Sequence, residues 1–311
     1  MRAFVLDDFG VPPRLAEMPV PMPQTGEIQV YVQASSVNSF DSMLVAGWLK
    51  AMYPHEFPVV LGKDFAGTVS KLGEGVDEFQ VGDRVFGVVV RPRLTDGGGF
   101  AEYAITSASV GVAPVPEGLS LDVAGVVGLA GSTAAAAVDS IGENAEGIVL
   151  VSGATGGVGV FVVQMLVARG ARVIATAASQ PGADMVRELG AETVVDYRDD
   201  MSARVKELRP SGVDAVVHLA GDAVELAELI VEGGVLASPM HIDPMQMHRR
   251  DIDIQSVTAQ PDRQLLDWLA AEVNHGNFRV PVTRTYQFGE LSEALSDFAS
   301  GKTGKLAVAL R

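Results

Sequence analysis

From Gly147 to Ala168 the chain carries no charged side chain (GIVLVSGATGGVGVFVVQMLVA), a stretch long enough to cross a bilayer. Gly153, Gly156 and Gly157 sit in its middle, and each would weaken a lone spanning helix by roughly 1 kcal/mol. A buried strand, a tight turn and a helix account for the run better than a membrane span. An uncharged strand of this kind belongs inside a sheet covered on both faces.

Within the run, VLVSGATGGVG (Val149 to Gly159) has the pattern of a dinucleotide turn, with Ala154, Gly156 and Gly159 at the three small-residue positions. Thr155, Gly157 and Val158 complete the turn. Gly156 lets backbone approach a pyrophosphate, and Gly159 lets the following helix pack against the strand. The helix N-terminus then offers free N–H groups and the positive end of its dipole to phosphate. An apolar strand precedes the pattern and a second strand, ARVIATA, follows the helix, which is the context the motif requires. A tight strand–helix turn with no ligand is the competing account.

The end of that second strand bears on which coenzyme is held. An NAD site places Asp or Glu roughly 20 residues past the glycines, on the ribose 2′-hydroxyl. This chain has Thr176, Ala177, Ala178 and Ser179 there, so NADP is expected. Ser179 and Tyr197 offer hydroxyls to the 2′-phosphate, and Arg198 is either its cation or a solvated surface residue. Gly221, after the strand DAVVHLAG, is expected to approach the ribose, with His218 a satisfied, partly buried histidine rather than a general acid.

Around this centre the chain changes rhythm twice. Short alternating segments (Arg2–Leu6, Glu27–Gln33, Ala66–Ser70, Arg84–Val90, Phe100–Ile105) read as strands separated by glycine turns, forming a partly open barrel. Ser120 is placed to cap a helix over Leu121–Ser140. Strands and helices then alternate through Ile252–Val257, with a helix assigned to Ala223–Val231, which predicts a doubly wound parallel sheet. A helix over Asp262–Asn274, a strand over Val282–Phe288, a helix over Leu291–Ser300 and a last strand, Lys305–Leu310, close the chain. The absence of cysteine among 311 residues excludes thiolate zinc, iron–sulfur and cysteine-nucleophile chemistry. A net charge of −16 argues against a nucleic-acid surface. The start, MRAFVLDDFG, has no signal-peptide h-region, so a cytoplasmic protein is expected.

Four segments, LGKDFAG (Leu61–Gly67), GEGVDEFQVGDRVFG (Gly73–Gly87), the glycine turn at 154–159 and the terminal GKLAVAL, resemble medium-chain dehydrogenase/reductases in the right order along the chain. The closest likeness is the zinc-free branch of quinone oxidoreductases and related enoyl reductases. The resemblance implies an α/β architecture. Residues 1–121 and 259–311 would form a GroES-like, partly open β-barrel catalytic domain, and residues 122–258 a Rossmann doubly wound parallel sheet holding NADPH. Zinc members of the family carry a cysteine and a Gly-His-Glu histidine; at the matching places stand Asn38 and Lys63, neither of which replaces a thiolate or imidazole on Zn²⁺. No catalytic metal is therefore expected, and His55-Glu56 lacks the second histidine of a zincin.

Without a metal, hydride transfer to a quinone or an α,β-unsaturated carbonyl needs only positioning and a few hydrogen-bond donors or water. Asn38 is a candidate to orient the acceptor carbonyl or a turn-stabilising asparagine; Tyr53 is a candidate proton donor or pocket wall. Thr133 resembles a family threonine near the nicotinamide. Lys63 either reaches the cleft or, as the safer assumption, is a surface lysine, and Met240, Met245 and Met247 read as either a soft pocket wall or ordinary packing. In resembling proteins the edge strand near 252–257 pairs across a two-fold axis, so a homodimer is expected. The alternatives are an enoyl-thioester reductase of fatty-acid or polyketide type, and a non-catalytic NADPH-binding protein.

Overall fold

The computed structural model describes every residue except 53, 92, 94, 95, 241, 243, 244, 246, 302 and 311. Contacts divide the chain into two units, Met1–Ser132 with Pro261–Arg311, and Thr133–Gln260. Each has its own buried apolar core.

The chain begins with β1 (Arg2–Leu6), β2 (Arg14–Glu17), β3 (Glu27–Ser36), α1 (Ser39–Val45), β4 (Val59–Val60), β5 (Asp64–Leu72), β6 (Arg84–Val88), β7 (Tyr103–Ser107), β8 (Val112–Pro114), α2 (Leu121–Ala124) and α3 (Gly128–Ser140). The parallel-sheet unit supplies β9 (Ile148–Ser152), α4 (Gly159–Ala168), β10 (Arg172–Thr176), α5 (Gln180–Glu188), β11 (Thr193–Val195), α6 (Met201–Leu208), β12 (Val213–His218), α7 (Ala223–Ala227), β13 (Ile230–Ser238) and β14 (Asp253–Ser256). The chain ends with α8 (Arg263–Asn274), β15 (Val282–Gln287), α9 (Leu291–Ala299) and β16 (Lys305–Ala309).

Strand β3 organises the first unit. Its start pairs with β7, most of its length with β5, and its last residues, Ala34–Ser36, with β16. The resulting sheet runs β15-β16-β3-β5-β6-β8, and a smaller sheet runs β2-β1-β4. Alternation in these strands turns Val30, Val32, Phe65, Leu306 and Val308 into one core with Phe4, Leu6 and Phe100. Thus the C-terminal strand, nearly 270 residues downstream, completes a sheet begun by β3 (the separation of Lys305 and Asn38 is 267).

One expected helix is two. Ser120 does cap its start, accepting the Val123 N–H at 3.2 Å, but α2 ends at Gly125 and α3 restarts at Gly128. A Cβ at Gly125 would lie 3.0 Å from Ala34, and one at Gly128 would lie 2.8 Å from the Gly87 carbonyl. The break lets the Leu129 N–H reach an Asp64 oxygen at 2.7 Å. These contacts also carry the first unit past residue 121 to Ser132.

In the second unit the order is β11-β10-β9-β12-β13-β14, every neighbouring pair parallel. Leu150, Ile174, Val216 and Leu236 form its central layer. The uncharged run resolves into β9, a turn and α4, and no helix among the described residues is long and apolar enough to cross a membrane. The helix expected over Ala223–Val231 stops at Ala227, because Ile230 is already paired with Val213 and buried in the core. Pairing and burial here override a helical local pattern.

Phe65 is fully buried while Trp48 is 74% exposed. Phe65→Ala is expected to destabilise the protein by about 3–5 kcal/mol in urea denaturation, and Trp48→Ala by no more than about 0.5 kcal/mol.

Candidate active site

Strands β9 and β12 are neighbours, yet the chain leaves β9 toward β10 and leaves β12 toward β13. This reversal opens a crevice at the carboxyl ends of the strands, where ligands of open α/β sheets bind. Gly153 begins the turn there with φ +79°, a conformation that disfavours side chains, and a Cβ on it would lie 3.1 Å from Leu219 and Ala220. Its N–H donates to the Thr176 hydroxyl at 2.9 Å, tying the turn to the end of β10. Gly156 donates to the Gly153 carbonyl at 3.0 Å.

The glycines differ in what they require. A Cβ at Gly159 would lie 2.3 Å from the Gly153 carbonyl oxygen and 2.6 Å from that of Ala154, so this position serves the packing of α4 on its own turn. Among the described residues, a Cβ at Gly156 would meet only the Gly153 oxygen, at 3.3 Å, so this position is less crowded than Gly159. Ala154 is fully buried, which accounts for a small side chain where the pattern has its first glycine. The N–H groups of Gly157, Val158 and Gly159 have no backbone acceptor among the described residues, as expected at the start of a helix. The cradle suits a pyrophosphate.

Ser179 caps α5, accepting the Gly182 N–H at 3.2 Å, and its own O–H stays able to donate. Tyr197 is 56% exposed just past β11, which pairs with β10. Arg198 holds Asp196 through two contacts, 2.6 and 3.1 Å, and keeps that carboxyl at about 2. Gly221 has φ +91°, and its carbonyl accepts the His218 Nε2–H at 3.1 Å. His218 Nδ1 lies 3.0 Å from the Ser238 hydroxyl, and burial lowers the pKa of the ring, favouring its neutral form. Thr133 is half-buried on α3.

The first unit contains a second polar concentration. Asn38, Asp41, Lys63, Asp64 and Lys305 are all buried. Asp41 is the third residue of α1 and accepts the Asn38 N–H at 2.9 Å and the Gly62 N–H at 3.0 Å. Asp64 accepts the Ser36 hydroxyl at 2.5 Å and Asn38 Nδ2 at 2.8 Å on one oxygen, and the Leu129 N–H at 2.7 Å on the other. Lys305 Nζ donates to Asn38 Oδ1 at 2.9 Å and stands 3.7 Å from Asp64 Oδ2. Lys63 is a correction: it is not a surface lysine but lies 5% exposed, its ammonium 5.2 Å from the centre of the Phe40 ring.

Burial dominates the electrostatics. Desolvation pushes the Asp41 carboxyl up to about 7, against the pull of its two N–H donors. It draws the Lys63 ammonium down to about 8, partly offset by Asp41, and lowers Lys305 as well. Tyr53 lies outside the described residues. Met247 is buried in the core of the second unit whereas Met240 and Met245 are exposed, so the three do not share a buried wall.

Known proteins agree with this layout. Residues 24–117 match the alcohol dehydrogenase GroES-like domain, and residues 157–263 the zinc-binding dehydrogenase domain. The chain is 33% identical over 229 residues to a chloroplastic quinone oxidoreductase of Triphysaria versicolor, covering 71% of this chain and 68% of that protein. It is 33% identical over 209 residues to a chloroplast envelope quinone oxidoreductase homolog of Arabidopsis thaliana, covering 66% of this chain and 62% of the length of that relative. A mycobacterial protein solved in complex with NADPH superposes with a TM-score of 0.87 at 27% identity, covering all of both chains.

Because Asp41 is raised from 3.8 to about 7, the folded protein holds a proton there that the unfolded chain releases. Its contribution to stability is present below the unfolded pKa and is lost as pH rises through the folded one. The stability of Asp41→Asn relative to wild type is therefore expected to increase between pH 4 and 7, by up to about 1.4 kcal/mol per unit, measured by urea titration at several pH values.

Proposed function

The chain belongs to the quinone oxidoreductase branch of the medium-chain dehydrogenase/reductases, and from that premise we propose that it reduces quinones or α,β-unsaturated carbonyls with NADPH. The observation that carries the reading is the turn from Gly153 to Gly159, less crowded at Gly156 than at Gly159 and set at the reversal point of the parallel sheet. The relative in complex with NADPH, superposed over its whole length, supports the choice of coenzyme.

The residues at the turn fit that group. The Gly157–Gly159 N–H groups and the start of α4 would hold its pyrophosphate. Thr176–Ser179 place no carboxylate at the end of β10, where one would repel a 2′-phosphate. Ser179 and Tyr197 offer hydroxyls nearby in the fold, and Arg198 offers a cation once exchanged from Asp196. NADPH, when bound, supplies the hydride.

The acceptor then needs one proton and a counterweight for the charge that gathers on its oxygen. A quinone or enone spreads that charge by conjugation, so hydrogen-bond donors or water suffice. Asn38, in the first unit, is not a free donor: its two amide N–H groups face Asp64 and the Ser36 carbonyl, at 2.8 and 3.2 Å. The same reading includes a cytoplasmic homodimer joined through β14, the edge strand of the parallel sheet.

The test is consumption of NADPH and NADH with a panel of quinones, enones and enoyl thioesters, with and without chelator. NADPH oxidation with quinones or enones, unchanged by chelator, is expected; binding of NADPH with no turnover on any acceptor would favour the non-catalytic reading. Ala178→Asp places a carboxylate beyond β10 and should lower the preference for NADPH over NADH at least about tenfold.

A further inference from the structure

The Asn38 amide offers four hydrogen-bonding capacities, two N–H donors and two lone pairs on Oδ1. They are engaged within the buried cluster: Nδ2 faces Asp64 Oδ2 at 2.8 Å and the Ser36 carbonyl at 3.2 Å, Oδ1 accepts from Lys305 Nζ at 2.9 Å, and the side chain faces the Asp41 N–H in a capping box. An amide can rotate end for end, exchanging oxygen and nitrogen at little steric cost. Here the rotated form would turn Oδ1 toward a carboxylate and Nδ2 toward an ammonium. Both contacts would be repulsive, in a site from which water is largely excluded.

Two charges of opposite sign thus read the two ends of one side chain. Asp64 arrives with the first residue of β5, and Lys305 with the first residue of β16, the last strand of the chain. Lys305 is 2% exposed; its ammonium forms an ion pair with Asp64 Oδ2 at 3.7 Å, and its shortest bond, at 2.9 Å, is to the Asn38 amide.

We propose that Lys305 is a positioning residue for the reduction, one that fixes the orientation of the Asn38 amide with its donors turned inward and its oxygen held by the ammonium. In that state Asn38 has no N–H left to donate to a developing oxyanion. The proposal rests on the reductase reading for its link to turnover, but the orientation itself is a property of the first unit alone.

The experiment separates the two. Lys305→Met by itself strands Asp64 as a buried anion and destabilises the fold, so the deciding variant is the pair Asp64→Asn with Lys305→Met, which removes both charges. Hydrogen exchange of the Asn38 side-chain amide, followed by NMR, reports orientation without any substrate. Protection in the wild type, with exchange at least about tenfold faster in the double variant, is expected. In the same proteins kcat should fall at least about tenfold while KM for NADPH stays within about twofold, the pattern of a lost contribution to the chemical step. The proposal is overturned if the wild-type amide exchanges as fast as an exposed asparagine, a result that needs no variant. It is equally overturned if the double variant keeps both protection and wild-type kcat, which would reduce Lys305 to a counter-ion. An inactive wild type with a protected amide would instead remove the reductase reading and leave the orientation standing.

Discussion

The Asp64 carboxylate is the constraint around which the first unit is arranged. A buried carboxylate loses its hydration and must recover it from donors. Its donors come from three places in the chain, Ser36 at the end of β3, Asn38 before α1 and Leu129 in α3, and Lys305 in β16 adds a compensating charge. Those elements converge at the start of β5. The helix break between Gly125 and Gly128 follows from this demand, since a continuous helix would not bring the Leu129 N–H to the carboxylate in the same way. So does the docking of the terminal strand, whose first residue carries the compensating cation.

The glycine turn of the second unit solves a different problem by different means. No side-chain charge is involved; the turn presents backbone N–H groups and a helix end, and its glycines make room. Gly159 makes room for the protein itself, whereas a Cβ at Gly156 would be far less crowded by the described residues, although the two look alike as letters. Backbone donors of this kind hold a phosphate wherever it comes from, so coenzyme choice falls to the end of β10, where side chains begin to matter.

This contrast explains what could be read without coordinates. The strand, turn and helix around Gly153–Gly159 were legible because local rules govern them: an apolar run, glycines at fixed spacing, and a second strand on schedule. The boundaries of β10, β11 and α6 follow the same local logic. The single helix assigned to 121–140 and the long helix after Ala223 fail where a distant partner intervenes, Asp64 in one case and Val213 in the other. Lys63 and Lys305 show the limit most clearly. Lys63 reads from its neighbours as a surface lysine, and nothing near Lys305 in the chain announces that its acceptor stands 267 residues away.

The two lysines also bear on how charge is balanced around Asn38. Net charge in the first unit's cluster is balanced by residues alone: two carboxylates, Asp41 and Asp64, against two ammonium groups, Lys63 and Lys305. Balance in a dry site lowers the penalty of each charge but does not erase it, which is why Asp41 rises and both lysines fall. A cluster so poised holds its shape only while all four partners are present.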